Sequence, residues 1–352
     1  MTEALIFLAS SIVTYFGVRR YREWSTGRLL DMPNERSSHI VPTLRGAGSV
    51  VVLVCLTGGL VAYFVTGEFP FVIMVAGGAG LGLVGWLDDL YSLPKTLKFS
   101  AHIIAAIFLV FSLGFFDYFV VGPYVVFLWL FGLVLTLLWV VGVINTFNLM
   151  DGIDGIAGTQ AFVASLAWAA FGLVTQSPTI TTVSLLVAGS SFAFLFYNWH
   201  PARVFSGDIG STYLGFAFAA LPLIAIHESR VHRGLIFLFA ASVIWPFIVD
   251  TLFTFARRVI SVGLSVFEPH RTHIYQLAVA SGRSHDLVAL GYALLSLLLS
   301  VMAVSALIWP GIGPLVLQFS LAATTVAILI TYIVSRGTGK RDPIDHSRAS
   351  SI

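Results

Sequence analysis

Residues 122–144 read GPYVVFLWLFGLVLTLLWVVGVI and run without a single charge into NTFNLMDGIDGIAG at 145–158. The first stretch is long enough for a helix to cross a hydrocarbon core, which takes about 20 residues. The second sets two asparagines and two aspartates against its end, where polar groups are expensive unless they bind something. Working outward, apolar runs of similar length recur at 4–18, 46–66, 71–87, 99–116, 156–175, 179–196, 209–226, 234–255, 287–309 and 312–334. With 122–144 that makes about eleven spans, so the expected fold is an all-α polytopic membrane protein. Composition agrees: 57% of residues are hydrophobic and 10% charged, against roughly 45–50% and about 25% in an ordinary soluble domain. A soluble enzyme is thereby excluded. The polar stretches are too short for a folded extramembrane domain, so any chemistry belongs to loops and helix ends. We expect one polytopic domain over 1–335 and a polar tail over 336–352. The single cysteine, Cys55, lies inside an apolar run and excludes disulfides and cysteine-ligated metal.

Charge placement orients the chain. Met1-Thr2-Glu3 precedes the first run and Arg19, Arg20 and Arg22 follow it, the reverse of a cleaved signal peptide. A retained first span with its N-terminus outside puts every Lys and Arg except Arg230 and Arg233 on the cytoplasmic side, together with the C-terminus, as the positive-inside rule requires. Most acidic residues fall on that face too, the exceptions being Glu3, Glu68, Asp117 and Glu228. Function is therefore expected at the cytoplasmic face.

Six stretches there carry polar chemistry. Gly85-Trp86-Leu87-Asp88-Asp89 ends the third run with adjacent carboxylates, with Lys95 and Lys98 following. Such a pair at a helix C-terminus opposes the helix dipole and itself, which calls for a cation; a solvated helix end is the plainer reading. In the opening stretch Asn145, Asn148, Asp151 and Asp154 recur every third residue, a rotation of about −60° per step on an α-helix. That suits a bent helix wrapping a polar site, with Gly152, Gly155 and Gly158 letting backbone approach closely; a glycine-rich connector is the alternative. Asp208, in Ser206-Gly207-Asp208-Ile209-Gly210-Ser211, begins the eighth run as an N-cap, a metal ligand or both. Asp250 lies inside the ninth run, as a kink partner or a functional carboxylate. His270-Arg271-Thr272-His273 suits phosphate recognition or a lipid-headgroup patch. Pro33-Asn34-Glu35-Arg36-Ser37-Ser38-His39 and Pro42-Thr43-Leu44-Arg45-Gly46 form a basic loop that would also serve as a topological anchor.

Acidic oxygen donors without cysteine favour magnesium, which binds through one or two carboxylates plus substrate phosphates. Basic loops beside them favour a polyphosphate. Together these features point to magnesium-assisted phosphoryl transfer with a lipid as one reactant. A secondary transporter or lipid flippase is the competing class, but transporters place carboxylates near the bilayer midplane in repeated broken helices, and here they gather at one face. Nothing suggests a nucleic-acid partner.

As an ordered set, these motifs resemble the polyprenyl-phosphate N-acetylhexosamine-1-phosphate transferase family over roughly residues 30–282. The family's Asp-Asp pair with a following Lys is matched by Asp88, Asp89 and Lys98. Its Asn-x-x-Asn-Leu-x-Asp-Gly-x-Asp-Gly motif is matched by Asn145, Asn148, Asp151 and Asp154, and its Gly-Asp-x-Gly-Ser motif by Gly207 to Ser211. Asp250 with Arg257 and Arg258 resembles its acidic residue followed by paired arginines. One departure stands out. Tyr275 and Gln276 occupy positions where the UDP-GlcNAc branch carries further histidines, so the chain looks more like the O-antigen and capsule initiators that use sugars such as FucNAc or QuiNAc.

The resemblance implies attack by the phosphate of undecaprenyl phosphate on the β-phosphorus of a UDP-HexNAc, with release of UMP. It implies magnesium, with manganese as a substitute, held by Asp208 with Asp151 and Asp154. Asp88, Asp89, Asp151 and Asp154 become the catalytic candidates, and Arg45, Lys98, Asn145, Asn148, His270, Arg271 and His273 the substrate-binding ones. The expected setting is the plasma membrane, with membrane lipid as a partner and a homodimer as the expected assembly.

Overall fold

The computed structural model describes residues 1–25, 29–32, 42–121, 124–228, 233–263, 268, 270–309 and 311–338. The segment Pro33–His39, Arg230, and all but the first residues of the expected tail lie outside them. Thirteen helices account for most of the described chain, accompanied by two short antiparallel ribbons. The expectation of an all-α polytopic membrane protein is met. Nine unbroken helices among the described residues are long and apolar enough to cross a membrane, and a sharply bent pair makes a tenth. The expected span 4–18 lies within α1 (Thr2–Ser25), which is not one of these ten although its 24 residues reach about 36 Å at 1.5 Å per residue.

The opening stretch proves composite. Its start pairs as a hairpin, β3 (Tyr118–Val121) with β4 (Tyr124–Phe127), and only from Trp129 does it become α5 (Trp129–Met150). Tyr124, Val125, Val126 and Phe127 are aromatic or β-branched, which suits a pleated ribbon better than a helix. Span 234–255 also needs correction. It is broken into α9 (Arg233–Val243) and α10 (Trp245–Val262), which meet at 78°. Pro246 sits in the first turn of α10; it has no N–H to donate and its ring would clash with the carbonyl four residues back in a continuous helix.

The middle of the molecule is α8 (Gly207–Glu228), whose apolar stretch is wholly buried. α2 (Gly48–Thr66), α3 (Phe69–Tyr91), α4 (Lys95–Leu113), α5, α6 (Ile156–Thr175), α7 (Pro178–Asn198) and α9 all pack on it. Such close packing without a hydrophobic drive from water relies on small residues, and α8 supplies Gly210, Gly215, Ala217, Ala219 and Ala220. α1 lies against α7. α12 (His285–Ile308) packs on α6 and on α13 (Gly313–Thr338), the most exposed of the spanning helices. The first residue of α8 lies at the same end of the bundle as the last residues of α3 and α5, and the site forms there.

Candidate active site

Asp88 and Asp89 occupy the last turn of α3, and the structure relieves their charge differently. Asp88, 6% exposed, accepts Leu93 N–H at 2.8 Å and Lys98 Nζ at 2.7 Å. Asp89 turns to the neighbouring helix: its carboxylate accepts Asp208 N–H at 2.9 Å and Ile209 N–H at 3.3 Å, with Arg45 Nε at 2.8 Å. It thus caps the N-terminus of α8 from outside, where donors are unpaired and the dipole favours an anion. The capping expected of Asp208 is supplied by Asp89. Asp208 stands in the first turn with Arg45 Nη2 3.1 Å from Oδ1 and Lys98 Nζ 3.2 Å from Oδ2.

Two glycines allow this. A Cβ on Gly85 would lie 2.6 Å from both Asp208 O and Ile209 Cα, so only glycine lets α3 approach so closely. Gly207 has φ +73° and directly faces the Asp89 carboxylate. Arg45 is delivered by a laced segment: Phe205 N–H donates to Leu44 O at 2.7 Å, Ala47 N–H to Phe205 O at 3.0 Å, and Tyr21 Oη–H to Arg45 O at 2.6 Å.

The three-residue stripe winds around α8. Asn145 and Asn148 lie in the last turns of α5 and Asp151 is its C-cap, while Gly155, at φ +75°, opens α6. Asn145 meets His102 of α4 at 3.1 Å, and Asn148 donates to Ser211 Oγ of α8 at 3.1 Å. Asp151 accepts the Ser206 hydroxyl. Asp154 meets His200 Nδ1 at 2.7 Å and accepts Ala202 N–H at 3.1 Å. The −60° step is therefore realised as a succession of partners from α4, across α8, to the connection before it. Burial pushes the Asp151 carboxyl up to about 7 against the opposing Ser206 hydroxyl, with the Asp208 and Asp89 charges adding to the rise. For Asp154, burial is outweighed by hydrogen bonds from His285, His200 and Ala202, which hold it below the usual carboxylate range.

Asp250 lies elsewhere, fully buried in α10. It accepts Ile274 N–H at 2.9 Å, Tyr275 N–H at 3.0 Å and Tyr292 Oη–H at 2.6 Å, and pairs with His273 Nδ1 at 3.1 Å. Its place is to latch the 270–276 loop. His273 consequently sits with 4% side-chain exposure, while its neighbours His270 and Arg271 are partly exposed. Burial, with the His273, Arg258 and Arg257 charges, drops His270 to about 3. Tyr275 is buried and donates to Leu149 O at 2.9 Å, and Gln276 Oε1 accepts His273 N–H at 3.2 Å, so both non-histidine positions tie this loop to its surroundings.

The structure thus brings Arg45, Asp88, Asp89, Lys98 and Asp208 into direct mutual contact, with Asn148 and Asp151 linked through residues flanking Asp208. His200 and His285 carry no sequence signal of their own, and Ser206 and Ser211 stand in the Asp208 segment with no partner legible there. His200 and Ser206 sit inside the stretch that carries Asp208 and are revealed only by their partners.

A polytopic membrane enzyme with an acidic and basic cluster at one end is the class that fold and site define. The family model for glycosyl transferase family 4 matches residues 71–226. A Bacillus subtilis (strain 168) protein named as a probable undecaprenyl-phosphate N-acetylglucosaminyl 1-phosphate transferase is 30% identical over 88% of this chain and 84% of its own. A Mycobacterium leprae decaprenyl-phosphate N-acetylglucosaminephosphotransferase is 30% identical over 82% of this chain and 79% of its own. A Heliobacterium modesticaldum phospho-N-acetylmuramoyl-pentapeptide-transferase is 34% identical over 44% of this chain and 53% of its own. The chain belongs to the polyprenyl-phosphate N-acetylhexosamine-1-phosphate transferase family and is a multi-pass membrane sugar-1-phosphate transferase.

Proposed function

We propose that this protein transfers a HexNAc-1-phosphate from a UDP-sugar to undecaprenyl phosphate at the cytoplasmic face of the plasma membrane, releasing UMP and starting a cell-envelope glycan such as an O-antigen. The observation that carries this reading is Asp208 held between Arg45 and Lys98 at the N-terminus of α8, beside Asp88 and Asp89. Residues 1–335 act as one phosphotransferase domain, with the N-terminus outside by the distribution of Lys and Arg.

The donor set fits magnesium. Asp88, Asp89, Asp151 and Asp208 are hard oxygen donors, and these four carboxyl groups outnumber the two cations Arg45 and Lys98. Of the expected ligands, Asp208 with Asp151 would hold the ion, which when bound supplies charge neutralisation for the diphosphate, while Asp154 is engaged by His200, Ala202 and His285 instead. The remaining work falls to the protein. An oxygen of the lipid phosphate forms a bond to the β-phosphorus of the UDP-sugar while the bridging oxygen leaves with UMP, and the demand on the site is positioning and charge neutralisation. Lys98 and Arg45 present cations to the phosphates. Asp88 or Asp89 orients the lipid phosphate or accepts its proton, orientation mattering more because that phosphate is already largely ionised at neutral pH, its second pKa being about 6. Asn145, Asn148, Asp151 and Asp154 shape the nucleotide pocket, and the partly exposed His270 and Arg271 meet the sugar or the leaving UMP, on a loop that His273 holds to Asp250. Tyr275 and Gln276 support a deoxysugar such as FucNAc or QuiNAc, with GlcNAc as the competing donor.

Purified protein with magnesium, undecaprenyl phosphate and a panel of UDP-HexNAc sugars tests this. UMP release with one sugar, abolished in Asp208→Asn, is the expected result. Release of UDP instead would mean that the sugar moves alone, and release of neither from any sugar refutes the transferase reading.

A further inference from the structure

Asp154 keeps different company from the other carboxylates of its stripe. It sits in the α5–α6 connection and is met by His200 from the α7–α8 connection and by His285, the first residue of α12. Each of the three offers one ligand atom, these atoms lie within 4.8 Å of one another, and no other such group of three occurs among the described residues. Zinc bonds of about 2.0–2.1 Å in tetrahedral array separate neighbouring ligand atoms by about 3.3 Å. The observed separations from Asp154 Oδ2, 2.7 Å to His200 Nδ1 and 3.4 Å to His285 Nδ1, bracket that value. The contact from Asp154 N–H to His285 Nδ1 is long, 3.4 Å, and so weak enough to yield to a metal bond. A second observation comes from the neighbouring residue. Asp286 leaves one carboxylate oxygen buried without a hydrogen-bond partner. The His200 side chain is 39% exposed, which opens a way in from water.

We propose that Asp154, His200 and His285 form a binding site for a divalent transition ion of the zinc class, distinct from the oxygen-only cluster around Asp208. Imidazole nitrogen selects such an ion over magnesium, which prefers oxygen. Three protein ligands leave a fourth position for water. The ligands come from three separate segments, so the ion ties the α5–α6 connection, the α7–α8 connection and α12 together, three residues from Asp151. This site stands whether or not the transferred sugar has been read correctly.

The test uses the full chain without an affinity tag, purified in detergent, stripped with a chelator and dialysed against micromolar Zn2+ in millimolar Mg2+, with bound metal counted by atomic emission. One zinc per chain is expected, together with a higher melting temperature. His200→Ala and His285→Ala each weaken binding about tenfold or more, whereas Asp208→Asn retains it. Co2+ in place of Zn2+ gives a visible absorption band in the unsubstituted protein that is lost in both histidine variants. Less than half a zinc per chain, displacement of zinc by magnesium, or stoichiometric binding that survives both histidine substitutions overturns the proposal. The measurement on the unsubstituted chain decides by itself should a variant fail to fold.

Discussion

Gly85→Ala probes the approach of α3 to α8 on which the carboxylate cluster depends. The added Cβ would stand 2.6 Å from Asp208 O and Ile209 Cα and 2.7 Å from Ile209 N, all atoms of the main chain. None can swing aside as a flexible side chain would, so the helices must separate by about 0.8 Å to reach ordinary contact at 3.4 Å. The bonds from Asp208 N–H and Ile209 N–H to Asp89, now 2.9 and 3.3 Å, would then stretch beyond the range of a real hydrogen bond. Hydrogen bonds to charged groups contribute about 1.5–3 kcal/mol each, and overpacking alone costs about 1–3 kcal/mol. With relaxation, a net destabilisation of about 2–4 kcal/mol is expected. Displacement of reacting groups by about 1 Å lowers turnover about 100-fold. UMP release and thermal unfolding of the purified variant measure the two effects. Gly80→Ala is the control: it lies on the same helix and nothing stands within 4 Å of its added Cβ, so turnover should not change. Gly85→Ala turning over within twofold of the unsubstituted protein, with unchanged melting, would show that this close approach does not set the site.

Three further outcomes are expected. Lys98→Met strips the cation shared by Asp88 and Asp208 and should lower kcat about 100- to 1,000-fold, with partial recovery in Lys98→Arg; near-normal turnover in Lys98→Met would exclude Lys98 from the chemistry. Tyr292→Phe removes a 2.6 Å donor from buried Asp250, which should cost about 1.5–3 kcal/mol and raise KM for the nucleotide sugar as the 270–276 loop loosens; an unchanged melting temperature would contradict the latch. Asp151 has a folded pKa raised to about 7, so its ionisation opposes folding, and the penalty grows as pH rises from the ordinary carboxylate value of about 4 and is complete above 7. Magnesium-free Asp151→Asn should therefore melt higher than the unsubstituted protein at pH 8, with the advantage shrinking towards pH 5. A constant difference across that range would show that Asp151 is not the titrating group.

Much of the architecture was legible because the bilayer leaves few choices: an uncharged run of sufficient length is a helix, and the spacing of Asn145, Asn148, Asp151 and Asp154 does describe a polar thread winding around a neighbour. Two stretches misled. Hydropathy does not register that Tyr124–Phe127 prefer a ribbon, and it averages over Pro246, where one missing N–H and a ring clash turn a span into an elbow. Asp88, Asp89 and Asp208 were recognisable as charges needing partners, but which partner each takes depends on helices distant in sequence. Asp89 spends both oxygens on the start of α8, and no local pattern shows that. The histidines were hardest. His200 and His285 lie 85 positions apart, and each alone reads as an ordinary polar residue at a helix end; only the fold brings both to Asp154.

The complete enclosure of α8 has a bearing on how the enzyme tolerates its solvent. A helix without a lipid-facing side does not feel bilayer thickness directly. Mismatch between span length and hydrocarbon thickness is taken up by tilt and local lipid deformation at the helices that touch lipid, here α2, α4 and α13. Because Asp208 rides on the sheltered helix, the rim can adjust to a thinner or thicker membrane while the reacting groups hold their register.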